Sequence, residues 1–291
     1  MNYNILFSIY YGNAMIHKND ILTTVAPTWL EEMDFLSSSA TRKTDDVLEY
    51  QFWQSIAPIY SKDYNLNNHT HLIVEKLLSL LEPNQRVLEI GGGSGNFTIH
   101  LAPRCESIYS IDLSLDMIQA MHVNLDQHGI SNVFPCWGKF EDIDAESVFD
   151  YVISINSLYR IQDISTALQK IYDLGKKGFI LVRTLQRSPF FQMYADLQIH
   201  YQGCQDYKLL PLELWNLGIH ANVEYVEYSQ KKSFIQLEDI YSKIISDIGV
   251  DAYTTHKKAI HQYIENHIEK SSDTLLWNTS CAAVFIYYIK R

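Results

Sequence analysis

Between Glu89 and Asp112 the chain carries residue types that can hold a nucleotide-bearing ligand. The run Glu89-Ile90-Gly91-Gly92-Gly93-Ser94-Gly95-Asn96 follows a short apolar segment. Glycines at that spacing let a backbone turn sharply and approach a ligand that a Cβ would repel. A helix expected after them offers unpaired N–H groups and a partial positive charge at its start. Asp112 stands 21 residues after Gly91, at the end of the next apolar stretch. A carboxylate there can accept hydrogen bonds from both hydroxyls of a ribose, and such bonds are strong because the acceptor is charged.

Such residues need a sheet to present them. Arg86–Ile90, Ser107–Ile111, Asn132–Cys136, Phe149–Ile155 and Gly178–Arg183 read as strands. Helices over Gly95–Ala102, Leu115–His128 and Ile164–Leu174 alternate with them. Alternation of this kind means a parallel sheet covered on both faces. Its ligands bind beyond the carboxyl ends of the strands, where strand order reverses. Upstream, Leu48, Phe52, Ile56 and Ile59 predict an amphipathic helix that carries Trp53 and leads to Tyr60. A second helix runs from about Asn67 to Leu81, with Leu72, Ile73, Leu77 and Leu80 facing inward and Pro83 stopping it. Downstream, Phe190, Tyr194, Leu197 and Tyr201 mark a helix face, and Asn222–Tyr228 alternates like a strand. Two helices carried by Leu237, Ile240, Ile244 and by Ile260, Ile264, Ile268 precede a last strand over Cys281–Ile289.

Two cofactors compete for the glycine loop. A dinucleotide fingerprint, G-x-G-x-x-G from Gly91, ends on Asn96, which lacks the glycine needed for close helix packing under a pyrophosphate. The pattern acidic-x-G-x-G-x-G of S-adenosylmethionine (SAM) proteins is met in full by Glu89, Gly91, Gly93 and Gly95. Asp112 alone does not separate NAD from SAM, since both place a ribose there.

The runs VLEIGGGSGNFTIHLA, YSIDLSLDMIQAM and FDYVISINSLYRIQD resemble the SAM-binding core of class I methyltransferases over about residues 66–184. They are similar in particular to the small-molecule and ubiquinone-biosynthesis-like branch. The resemblance implies an α/β, doubly wound, Rossmann-like sheet of seven strands in the order 3-2-1-4-5-7-6, with strand seven antiparallel. It implies that Gly91, Gly93 and Gly95 line the methionine part of SAM and that Glu89 orients its amino group. Asp112 would hold the ribose, Leu113 and Met117 would pack near the adenine, and Asn156 would face the sulfonium. Gly138-Lys139-Phe140-Glu141 falls where the family has Gly-Asp-x-x, so Lys139 replaces an acid, and Phe140 and Glu141 are the substitutes for adenine recognition. Phe52–Tyr60 resembles the family's aromatic cap, whose final Tyr, here Tyr60, would contact the cofactor carboxylate.

Methyl transfer from a sulfonium needs orientation and desolvation more than a nucleophile. His200 and Tyr159 are the candidate catalytic bases, set against packed or surface roles. Arg160 would suit an acidic acceptor. The expected layout is a helical cap over 1–65 and a SAM-binding domain over 66–291. Insertions fall at about 186–215, as an aromatic lid, and at about 233–275, as pocket wall or homodimer contact.

A net charge of −11, with basic residues in runs no longer than pairs, disfavours nucleic acid as partner. The small-molecule acceptor is therefore the expected substrate, with S-adenosylhomocysteine as product. Four scattered cysteines without a C-x-x-C pair read as reduced and mostly packed. No stretch approaches the roughly 20 apolar residues of a membrane span. Residues 1–11 lack a signal-peptide pattern, so a cytoplasmic chain is expected. The histidines show no metal-ligand spacing; Asn68-His69-Thr70-His71 reads as a helix start, and no metal is expected. Three alternatives stay open: a non-catalytic SAM-binding protein of the same fold, an NAD-dependent oxidoreductase and, weakened by the acidic charge, a methyltransferase with a macromolecular substrate.

Overall fold

Five strands pair in parallel, and the central ones read as continuous apolar runs because both of their faces are buried. The five are β3 (Arg86–Ile90), β4 (Ser107–Asp112), β5 (Val133–Trp137), β6 (Phe149–Ile155) and β7 (Gly175–Thr184). A computed structural model of the chain describes residues 9–11, 14–16, 29, 42, 45–60, 68–144, 149–185, 188–201, 206–271 and 273–290. The sheet is completed by β8 (Asn222–Phe234), the short β9 (Glu269–Ser271) and β10 (Thr274–Ile289). Its order is β5-β4-β3-β6-β7-β10-β8, and β10 runs antiparallel to both of its neighbours. This is the 3-2-1-4-5-7-6 order, with β9 added beside β10. A separate pair, β1 (Ile9–Tyr11) and β2 (Ala14–Ile16), forms a small antiparallel hairpin.

Helices cover both faces. On one side α2 (Asn68–Leu80), the single-turn α3 (Thr98–Leu101) and α4 (Leu115–Gln127) bury Ile73, Leu77, Leu101, Met121 and Leu125. On the other, α5 (Ile164–Leu174) lays down Ile164, Ala167, Leu168, Ile171 and Leu174 at helical spacing. Beside it, α7 (Asp206–Asn216) adds Leu209, Leu210 and Leu214. Trp29 is plugged into this second layer, and its Nε1–H donates to the Ile161 carbonyl at 2.8 Å.

Several expected boundaries move, each for a physical reason. The helix after the glycine loop starts at Thr98 rather than Gly95, because Gly95 lies at φ +88°, outside helical space. It continues into a 3-10 turn over Ala102–Arg104 around Pro103. β7 begins three residues early, through Lys176 and Lys177, whose charges hide the strand from a hydropathy reading. β8 and β10 outrun their expected lengths. Their added halves pair Ser229–Phe234 with Leu275–Ser280, a polar ribbon whose alternate residues face solvent. Against one side of that ribbon pack α6 (Phe191–Asp196), α8 (Leu237–Ile248) and α9 (Val250–His267). Phe190, Met193, Tyr194, Ile240, Ile244, Ile260, Ile264 and Trp277 make this third core. The aromatic lid expected after strand five is therefore a packing element, turned into a core of its own. Among the cysteines, Cys105 is buried, Cys281 half-buried and Cys136 exposed on edge strand β5; Cys204 lies outside the described residues. Among the described residues no helix is long and apolar enough to cross a membrane.

Candidate functional site

The chain reverses its strand order beside β3, and the turns after β3, β4, β5 and β6 converge there. They enclose a cavity of about 530 Å³, within the roughly 300–1,000 Å³ range of small-ligand sites. A further wall is α1 (Asp46–Tyr60), started by Asp45, whose Oδ1 accepts the Val47 and Leu48 N–H groups at 2.9 and 3.2 Å.

Sterics dictate the glycine loop. A Cβ on Gly91, at φ +71°, would lie 2.1 Å from the Ser157 Cβ; one on Gly92 would lie 1.9 Å from the Ser110 Oγ. Gly93, at φ +57°, has open space where its Cβ would stand, and it lines the cavity. Gly95 packs instead toward Met121 and is not among the lining residues. Three of the loop's four glycines spend their donors internally. Gly91 N–H goes to the Ile111 carbonyl (2.7 Å), Gly93 N–H to Asp112 Oδ2 (2.8 Å) and Gly95 N–H to the Gly92 carbonyl (3.0 Å). Asp112 also accepts the Ser114 N–H on Oδ1 at 2.8 Å. Each of its oxygens thus keeps a lone pair for a ligand. Burial pushes the Asp112 carboxyl above its ordinary range, against the pull of these two backbone donors.

Around this carboxylate the cavity brings together Leu113, Met117, Phe140, Glu141, Asn156 and Tyr159, all expected site residues. Lys170 Nζ donates to the Phe140 and Glu141 carbonyls, each at 2.9 Å, and fixes that turn. Asn156 adopts φ +59°, and its Oδ1 accepts from the Thr184 N–H (2.8 Å), Thr184 Oγ1 (3.1 Å) and Arg183 Nη1 (3.2 Å). Strand β6 is thereby tied to the end of β7.

Other expectations are corrected. Glu89 does not line the cavity. Its Oε2 lies behind Gly92, accepting from Thr98 Oγ1 (2.7 Å) and Ser110 Oγ (2.6 Å). His200 is exposed and is not among the lining residues. Tyr159 lines the cavity but is unsuited to act as a base: its hydroxyl donates to Glu49 Oε1 at 2.5 Å. Burial, with the Glu49 carboxylate beside it, pushes its pKa far up. Arg160 faces a carboxylate already, with Nη2 3.0 Å from Asp46 Oδ1. The side chain of Tyr60, at the end of α1, lies outside the described residues. Among the described residues no group of three or more His, Cys, Asp or Glu could hold a metal.

Two site residues are invisible in the sequence pattern, Asp46 and Glu49. The expected apolar stripe of α1 is not its buried face: Leu48 is 38% exposed and Glu49 only 1%. Glu49 accepts from Trp53 Nε1 at 2.7 Å and Tyr159, and Arg42 Nε lies 2.9 Å from its Oε2. The spacing of Glu49 and Trp53, four apart, is the one local signal for this contact.

Desolvation raises the Glu89 pKa above the ordinary carboxylate value. The folded protein therefore holds that proton more tightly than the unfolded chain does. The associated stability is present at low pH and lost as pH rises through the folded pKa. A Glu89→Gln variant, whose amide oxygen can still accept from Thr98 and Ser110, should melt above wild type at about pH 8. The gap should close toward about pH 4. Parallel melting curves across this range would contradict the assignment.

A family model described as "Methyltransferase domain" matches residues 81–271. An uncharacterized methyltransferase of Staphylococcus carnosus is 28% identical over 174 residues, 57% of this chain and 70% of that protein. A probable cobalt-precorrin-6B C(15)-methyltransferase (decarboxylating) of Methanococcus vannielii is 23% identical over 99 residues, 34% of this chain. The match spans about half of that relative, 53% of its length. The crystal structure of the YcgJ protein from Bacillus subtilis superposes with a TM-score of 0.48 at 16% identity, covering 77% of this chain and 99% of that one.

Proposed function

Because the chain belongs to the methyltransferase-domain family, as a class I SAM-dependent methyltransferase, we propose that its cavity binds SAM beside a small-molecule acceptor. The observation that carries the cofactor half is how the loop uses its donors. A dinucleotide pyrophosphate requires free N–H groups at such a loop, whereas three glycine N–H groups here are bound to the protein itself. What the loop offers instead is open space at Gly93 and a carboxylate, Asp112, with two free lone pairs. That suits a ribose joined to an amino acid rather than to phosphates.

When bound, SAM supplies a methyl group already activated on its sulfonium. The residues of the chain orient and exclude water. Asp112 accepts the ribose hydroxyls, while Leu113, Met117 and Phe140 give the base an apolar slot. Gly91 and Gly93 let the methionine end approach the backbone, with Asn156 holding the opposite wall through its bonds to β7. Tyr159 stays protonated and donates to Glu49, so the cavity orients and desolvates the acceptor rather than deprotonating it through this phenol.

A small acceptor is favoured by the cavity's size and by the net charge of −11, which repels phosphate backbones. Among the described residues no histidine or cysteine lines the cavity, and this supports a second reading, a protein that binds SAM or its product without turnover. Labelled methyl transfer decides among them. The protein is incubated with methyl-tritiated SAM and either a small-metabolite extract or total RNA. Label in the small-molecule fraction supports the proposal. Label in RNA would overturn the acceptor class, and no transfer to either would favour the binding-only reading.

A further inference from the structure

We propose that α1 is a lid fastened over the cavity by charge, with Asp46 as the positioning residue that joins it to the loops on both sides. The proposal rests on the reading of the cavity as the SAM site.

A helix that packs permanently on a protein buries an apolar stripe. Here the arrangement is inverted: Val47 is 61% exposed, while the first turns face inward through Asp46 and Glu49. Ala57 is the one apolar side chain of α1 buried among the described residues. Tyr50, Phe52 and Trp53 are only half-buried, so the hold of the N-terminal half of α1 depends in good part on its polar contacts.

Glu49 holds Tyr159 and Arg42 beneath the helix, and the contacts nearer solvent meet on Asp46. Its Oδ2 pairs with Lys139 Nζ at 2.5 Å and its Oδ1 with Arg160 Nη2 at 3.0 Å. Lys139 belongs to the turn after β5, beside Phe140 and Glu141, and Arg160 to the 3-10 turn after β6. One carboxylate on the lid thus ties together two loops that wall the cavity. This arrangement accounts for Lys139 standing where an acid was expected. The cation is turned to α1, and the acid of the pair comes from the lid. The hydrogen bond between the two holds the Asp46 carboxyl below its usual range and the Lys139 amine above it. Both side chains are more than a third exposed, so salt screens the pair and the fastening is reversible.

The test measures dissociation of S-adenosylhomocysteine by stopped-flow tryptophan fluorescence, reported by Trp53 in the cavity wall. Wild type, Asp46→Asn, Lys139→Gln, Lys139→Arg and the Asp46→Asn/Lys139→Gln double variant are compared at low and high salt. Asp46→Asn and Lys139→Gln should each speed release about fivefold. The double variant should release no faster than Asp46→Asn alone, and Lys139→Arg should keep the wild-type rate. High salt should speed release from wild type and have a much smaller effect on Asp46→Asn. Effects that multiply in the double variant, unchanged rates in both singles, or equal salt dependence in wild type and Asp46→Asn would overturn the lid. If wild type itself fails to bind the probe, the cofactor reading falls and the lid with it. Binding with unaltered release rates removes only the lid.

Discussion

An Asp112→Ala variant should bind SAM and S-adenosylhomocysteine about a thousandfold more weakly than wild type. Two hydrogen bonds to a charged acceptor contribute roughly 1.5–3 kcal/mol each, and a loss of about 4 kcal/mol is close to three decades in affinity. The same change releases the Gly93 and Ser114 N–H groups, which Asp112 holds at 2.8 Å each, so the loop loses its anchor as well. Asp112→Asn keeps an acceptor oxygen and should fall between wild type and the alanine variant. The pH dependence has a definite sign. Burial raises the Asp112 pKa, and ribose donors favour its charged form. Affinity should therefore strengthen as pH rises through that pKa and then level off. Calorimetric titration measures all of this. An alanine variant within about threefold of wild type would remove Asp112 from the ribose site.

The second large effect is on stability. Arg183, at the end of β7, forms an ion pair with Asp206, at the start of α7, with both side chains only 4% exposed. Removing the cation takes its Arg183 partner from a buried carboxylate, and breaking such a pair from one side costs about 3–5 kcal/mol. For a chain of this size that corresponds to a melting point lower by about 10 °C in Arg183→Met. Removing both charges, as in Arg183→Met/Asp206→Leu, should recover most of the loss, because a well-packed apolar pair escapes the desolvation cost. Arg183 also donates to Asn156 Oδ1, so the single variant should loosen the cavity wall and weaken cofactor binding. A single variant that melts with wild type would show that Asp206 finds another partner or water.

Much of the frame was legible because apolar periodicity reports burial directly. The five parallel strands, the stripe of α5 and the glycine loop all follow from residue spacing, and the strand order follows from the resemblance. The remainder depended on contacts that leave no local trace. Asp46 and Lys139 lie far apart in the chain and meet only in the folded protein. Glu49 sits on a helix whose apolar residues suggested the opposite face. Phe190 and Tyr194 had the composition of a ligand lid, and the same composition serves a core once α8 and α9 supply Ile240, Ile244, Ile260 and Ile264. Aromatic spacing specifies that a face is covered, not by what. Glu89 matched its motif position, yet its carboxylate is held behind Gly92 by Thr98 and Ser110, neither of which the motif names.

The cofactor assignment is tested most directly by titrating the wild-type protein with S-adenosylhomocysteine and, separately, with NAD. The loop in which Gly91, Gly93 and Gly95 spend their N–H groups internally, together with Asp112, predicts micromolar binding of S-adenosylhomocysteine, about −8 kcal/mol, and no detectable heat from NAD. Binding of NAD in preference, or of neither, would contradict it.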